Sequence, residues 1–354
     1  MNEKEQLNHP QPVNFQAVRQ FLRRYRNLLL NLLKIVVSVG LLVLIFTKID
    51  LQELWQALQQ ANRWWLVAAV IVMTIGVVVR AFRWRILLEA IGISVPISEL
   101  TKLYFISFLF NNLLPSGLGG DPIRMMELNR HSERGSDAVT SVVVDRFLGL
   151  SALQAIAVVA LLTNWGVVPN AVAYYTIGIF VGGLAGGYLL INRPLYLNLR
   201  RRLKPFHRLT DIKFIGNLFE SFQSYPPSSL GRSYLVSFLF NVTHLTMYAF
   251  IGWALSAPVS LIQFAIIVPI TSILLLLPSL PGGLGVREGG FLLLYTQIGV
   301  SEEVAVAMSL LVYVIGNVYT GLIGAIIYLW RSAQGVVLEK DQSINKKTIS
   351  SDSA

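Results

Sequence analysis

The sequence predicts an all-α polytopic membrane protein with about six full spans plus two re-entrant or broken-helix segments, arranged as an inverted internal repeat. Three observations carry this. Hydrophobic residues make up 54% of the 354-residue chain and charged residues only 14%, far from the balance of an ordinary soluble domain. Several apolar runs approach the ~20 residues that a helix needs to cross ~30 Å of hydrocarbon, and none shows the alternating ~10-residue pattern of a membrane barrel. Two of the runs end in glycine- and proline-rich stretches of matching sequence, "NNLLPSGLGGDPIR" at 111–124 and "LPSLPGGLGVR" at 277–287.

Taken in order, residues 1–27 read as a basic, amphipathic cytoplasmic N-terminus carrying Arg19, Arg23, Arg24 and Arg26. The first span, about 28–46, has no small-residue cleavage signal after it and reads as a retained anchor rather than a signal peptide. A second span at 64–84 leads into Arg80, Arg83 and Arg85, read as a basic loop. Further spans are expected at 138–163, 171–191, 233–254 and 304–330, followed by a polar, disordered cytoplasmic tail over 331–354. The loop "RPLYLNLRRRLKPFHRL" at 193–209 is strongly basic, whereas the connections at 164–170 and 255–260 contain no Lys or Arg. Positive residues gather on the cytoplasmic side, so the pattern places both termini in the cytoplasm of a multi-pass cell (inner) membrane protein. The net charge of +10 then belongs to topogenic loops touching anionic lipids, not to a nucleic-acid surface.

The runs at 99–115 and 261–279 are read differently. Counting the first as a simple span would carry the arginine-rich 193–209 loop to the wrong face. Each is expected to enter and return on one side, because Pro115, Gly117, Gly119 and Gly120, and Pro278, Pro281, Gly282, Gly283 and Gly285, weaken or stop a helix. Broken backbone at membrane depth survives only inside protein or beside a watery cavity, so the breaks mark the interior.

The breaks share LPSxxGGxxxR at a constant offset of 163 positions: Pro115, Ser116, Gly119, Gly120 and Arg124 answer Pro278, Ser279, Gly282, Gly283 and Arg287. Around them, "RWWLV" at 63–67 answers "RSYLV" at 232–236, "SVPIS" at 94–98 answers "SAPVS" at 256–260, and "SDAV" at 136–139 answers "SEEV" at 301–304. The first unit, about 63–163, begins outside on the expected topology and the second, about 232–330, inside. Inverted repeats with paired discontinuous segments are the architecture of many transporters, with substrate sites where the broken helices meet.

Asp121 is expected to cap the helix starting at "GGDPIRMMEL", with Pro122 preset for its first turn. Arg124 at that positive helix end favours an anion such as phosphate. Asp145 and Arg146, and Arg287 and Glu288, lie in or beside apolar segments, where a charge costs ~2.5–3.5 kcal/mol if it faces lipid. They are expected to face inward, with Asp145 pairing with Arg124 or Arg287 and Arg146 with Glu288, since adjacent residues on a helix diverge. Asn111 and Asn112 are expected to satisfy broken backbone, His244 to hydrogen-bond between helices, and Gly178, Gly182 and Gly186 to let helices pack closely. The candidate head-group site is therefore Asn112, Ser116, Gly119, Gly120, Asp121, Arg124, Asp145, Arg146, Ser279, Gly282, Gly283, Arg287 and Glu288. There is no cysteine, no cluster of metal-ligand type and no phosphate-loop or dinucleotide motif, so no cofactor or metal is expected.

"NNLLPSGLGGDPIR", "VVVDRFLGL" at 142–150 and "LPSLPGGLGVREGG" together resemble the flippase-like membrane domain of the lysylphosphatidylglycerol synthases and their stand-alone relatives, over about residues 30–330. The resemblance implies translocation of a phospholipid or lipid-linked intermediate, with Asp121, Arg124, Asp145, Arg146, Arg287 and Glu288 near the pathway. Only about two dozen polar residues follow Trp330, so lysine transfer is not implied. Two other classes stay open: a membrane-embedded transferase acting on a lipid phosphate, and an accessory subunit of a lipid-synthesising enzyme. A homo-oligomer is compatible with the sequence and not dictated by it.

Overall fold

This computed structural model describes residues 49–113, 119–132, 135–202, 222–275 and 283–334, with Gly40, Val43, Thr47 and Phe219. The expected N-terminal segment 1–27, nearly all of the first span at 28–46 and the tail beyond residue 334 lie outside the described residues. The chain runs through α1 (Leu51–Gln60), α2 (Arg63–Ala90), α3 (Ile97–Leu113), α4 (Gly120–Ser132), α5 (Gly135–Thr163), α6 (Asn170–Ile191), α7 (Arg193–Arg202), α8 (Pro227–Ala254), α9 (Leu261–Leu274), α10 (Val286–Tyr295), α11 (Glu302–Tyr313) and α12 (Thr320–Ala333). A π-helical turn at Val314–Tyr319 joins α11 to α12. Among the described residues every regular element is helical.

Five of these are long and apolar enough to cross a membrane: α2, α5, α6, α8 and the continuous α11–α12. They coincide with the expected spans at 64–84, 138–163, 171–191, 233–254 and 304–330. The four helices flanking the breaks, α3, α4, α9 and α10, have 17, 13, 14 and 10 residues, each short of the ~20 that a crossing requires.

Local chemistry sets the helix starts. Asn62 Oδ1 accepts from the Trp64 N–H at 3.0 Å to open α2, Ser260 and Gln263 form a reciprocal capping box on α9, and two prolines, Pro226 and Pro227, open α8. The long opening helices of both units end alike. After α2 the Ile93 N–H reaches the Leu88 carbonyl at 2.9 Å, and after α8 the Ala257 N–H reaches the Gly252 carbonyl at 2.9 Å. The left-handed residue that such an ending needs is Gly92 (φ 77°) in the first and Ser256 (φ 52°) in the second.

The order long, short, short, long thus occurs twice, as α2–α5 and as α8–α12, and the packing recurs with it. The two opening helices lie antiparallel along most of their length. Trp65 meets Trp253 at one end with ring centroids 5.0 Å apart, and at the other end the Ser233 hydroxyl donates to the Arg83 carbonyl at 3.2 Å. Each unit's first short helix then packs on the closing span of the other: α3 on α12, and α9 on α5. The Phe110 and Tyr328 rings meet edge-on at 5.7 Å in the first contact, and Gln154 of α5 donates to the Pro269 carbonyl of α9 at 3.3 Å in the second.

Glycines permit the closest approaches. A side chain at Gly120 would overlap the backbone carbonyl of Ser107, and one at Gly324 would overlap that of Phe105, so α4 and α12 grip α3 from adjoining turns. Gly178, Gly182 and Gly186, expected to pack helices closely, instead face open space: no described atom lies within 4 Å of where their side chains would begin. On the same helix Gly187 meets the Phe147 ring. The amphipathic helix α1 was not anticipated, although Leu51, Leu54, Trp55 and Leu58 follow helical spacing. It buries Leu54, leaves Leu51 and Trp55 exposed and packs against α11.

Candidate functional site

Between the helix ends that flank the two breaks lies a cavity of about 280 Å³. The first unit contributes Tyr104 and Asn111 of α3, Asp121 and Arg124 of α4, and Asp145 and Arg146 of α5. The second contributes Phe240, Asn241 and His244 of α8, Ser272 and Leu275 near the end of α9, Gly283 at the second break and Asn317 in the π-helical turn. Arg80 and Arg83 of α2 complete the wall. Sequence reasoning missed these two as site residues and took them for a loop, but α2 continues to Ala90 and turns both inward.

Asp145, 1% exposed, is the hub. Its Oδ1 accepts from Arg83 Nε at 2.7 Å, and its Oδ2 accepts from the Tyr104 hydroxyl at 2.8 Å and lies 3.5 Å from Arg124 Nη1. Arg124 also reaches Asp121 Oδ1 through Nη2 at 2.7 Å and lies over the Tyr104 ring, 4.3 Å from its centroid. Arg146 pairs with the other oxygen of Asp121. A chain of alternating charges therefore runs from Arg83 through Asp145, Arg124 and Asp121 to Arg146, bridging α2, α5 and α4. Of the expected pairings, Asp145 with Arg124 forms. The expected partner of Arg146, Glu288, is replaced by Asp121, because α4 packs along α5 and brings Asp121 closer than α10 brings Glu288.

Glycine and amide chemistry hold the first break. The cap expected of Asp121 is supplied by Asn111, whose Oδ1 accepts from the Gly120 N–H at 2.7 Å, and this releases Asp121 to the arginines. Asn112 donates through Nδ2 to the Asn317 carbonyl at 2.7 Å. The same carbonyl, in the π turn, also accepts from the Thr320 hydroxyl at 3.2 Å. Gly119 and Gly120 are buried, Gly120 against the Ser107 backbone of α3. Ser116, Ser279 and Gly282 lie outside the described residues.

The second break does not bring its charges to the cavity. Arg287 and Glu288 are 2% and 1% exposed and pair with each other, a contact between neighbours that the length of the arginine side chain allows. Arg287 Nε donates to the Ser309 hydroxyl at 3.0 Å. Glu288 Oε2 accepts from the Gly285 N–H at 2.6 Å, with Gly285 at φ 85°, so the carboxylate also caps α10. The offset that aligns Arg124 with Arg287 puts Leu284 at the place of Asp121 and Met308 at that of Asp145. The repeated residues build both breaks, while the charge network belongs to the first unit alone.

The three carboxylates of the candidate site, from which a transferase would have to draw its general base, are all engaged. Asp121 and Asp145 are each shared between two arginines, and Glu288 is bound to Arg287 and to backbone. Among the described residues no group of three or more His, Cys, Asp or Glu is placed to hold a metal ion.

Comparison with known proteins follows the same outline. The family described as lysylphosphatidylglycerol synthase TM region matches residues 31–324. A UPF0104 membrane protein of Methanothermobacter thermautotrophicus is 25% identical over 303 residues, covering 77% of this chain and 87% of the relative. A second, from Pyrococcus horikoshii, is 23% identical over 322 residues, covering 84% of this chain and 96% of the relative.

Proposed function

From the premise that this chain belongs to the lysylphosphatidylglycerol synthase TM-region family, as a multi-pass membrane protein, we propose that it carries a phospholipid or lipid-linked intermediate between leaflets of the cell (inner) membrane, with both termini cytoplasmic. The single observation that carries the reading is the cavity itself. It opens where two interrupted helices from different units converge and is lined by an excess of arginine, a combination suited to an anionic head group at membrane depth. Desolvated charges of this number are expensive inside a membrane protein and are characteristic of substrate pathways. The two units, related by their sequence echoes and by their exchanged packing, both supply walls of the cavity that alternating access would open to each side in turn. The ion pairs on Asp121, Asp145 and Glu288 favour transport over a transferase, because a general base needs a carboxylate free to take a proton from its acceptor.

The test is leaflet exchange of head-group-labelled phospholipids and a polyprenyl phosphate in liposomes containing the purified protein, with Arg124→Gln measured beside it. Exchange by the wild type that the folded variant loses is the expected result. Chemical conversion of the lipid in place of exchange would favour the transferase, and strict co-purification with a lipid-synthesising enzyme would favour the accessory subunit.

A further inference from the structure

The charge of the cavity defines the head group more narrowly. Four arginines, Arg80, Arg83, Arg124 and Arg146, face two carboxylates, Asp121 and Asp145, and the break residues at 114–118 and 276–282 carry no charged side chain that would alter the count. Two positive charges are left over. One has an address. The Arg80 guanidinium lies 4.1 Å from the Phe240 ring centroid and 5.8 Å from that of Tyr104, and among the described residues no carboxylate or hydrogen-bond acceptor meets it. Aromatic faces attract a cation but leave its N–H donors unused and its charge uncancelled. Arg124 adds donors: its Nε and Nη1 are buried without a hydrogen-bond partner. His244, in the same wall, makes ring contacts to Phe240 and Tyr248.

We infer that the cavity takes a lipid whose head ends in a phosphate monoester, and that Arg80 is the residue that selects it. This rests on reading the cavity as a head-group site. A monoester carries about −1.5 to −2 at pH 7 and offers three acceptor oxygens, which matches the leftover charge and a guanidinium able to bind phosphate through two parallel N–H groups. A phosphodiester carries a single negative charge and leaves one cation uncancelled in a low-dielectric site, and a zwitterionic head leaves both. The volume agrees: about 280 Å³ lies just below the usual range of ligand pockets, roughly 300–1,000 Å³, which suits a phosphate and its linkage better than a large glycan.

The experiment measures binding by the full-length protein in detergent, by native mass spectrometry with dioleoyl phosphatidate, dioleoyl phosphatidylglycerol and dioleoyl phosphatidylethanolamine at equal concentration, and with inorganic phosphate as competitor. The expected result is at least a tenfold preference for phosphatidate over phosphatidylglycerol at pH 8, falling to within about twofold in Arg80→Gln and partly kept in Arg80→Lys. Equal binding of the two lipids by the wild type would overturn the inference, as would a preference that survives Arg80→Gln in a folded protein. Competition by millimolar inorganic phosphate as strong as that by micromolar phosphatidate would overturn the lipid assignment in favour of a free-phosphate site. Selective binding without leaflet exchange would sink transport and leave this inference standing. Exchange of phosphatidylglycerol as fast as phosphatidate would do the reverse.

Discussion

Asp145 carries more of the site than any other side chain. It neutralises Arg83, helps neutralise Arg124 and fixes the Tyr104 hydroxyl, so its removal strands the buried Arg83 and leaves Arg124 to Asp121 alone. Breaking a buried ion pair by deleting one partner costs about 3–5 kcal/mol. Asp145→Asn is accordingly expected to lower the thermal midpoint in detergent sharply, whereas Arg85→Gln, which removes an exposed pair with Glu89, should cost less than about 1 kcal/mol. Equal effects of the two would contradict the hub role. Asp121, Arg124, Asp145 and Arg146 were legible in the sequence because a charge inside an apolar segment must find a partner. Arg80 and Arg83 were not, since arginines at the end of an apolar run look the same whether the helix stops or continues. Arg287 and Glu288 were legible as buried and misread as ligand-facing, because only the folded chain shows that they satisfy each other.

Helix by helix, the long spans declared themselves through length and apolarity, and the short helices through the breaks beside them. What the sequence left out was which helix meets which, because α3 touches α12 more than two hundred residues away. That contact depends on glycines, and so it can be tested. Gly324→Ala and Gly120→Ala each put a methyl group onto a backbone carbonyl of α3, which cannot yield as a side chain would, and should destabilise by about 1–3 kcal/mol. Gly178→Ala, on the open face of α6, should be neutral or stabilising by up to about 1 kcal/mol through helix propensity. The left-handed ending of α8 gives a change of opposite sign. Ser256→Gly relieves a conformation that costs a side-chain-bearing residue about 1 kcal/mol, so a raised thermal midpoint is expected, and a lowered one would mean the serine hydroxyl is needed there.

For the molecule as a whole, the absence of cysteine makes topology directly measurable. Pro258→Cys, exposed after α8, should react in intact cells with a membrane-impermeant maleimide. Arg202→Cys, exposed at the end of α7, should react only after permeabilisation. Labelling from one side only would contradict α8 as a single crossing between them. The grip of Gly120 and Gly324 on α3 reaches further than stability. Two backbones pressed against adjoining turns leave α3 no room to slide or roll, which welds α3, α4 and α12 into one strut whose parts come from both halves of the chain. Rocking one repeat against the other would have to break that weld. On the proposed transport, the parts that move would then cut across the two units of the sequence echo, with α9 and α10 lying outside the strut.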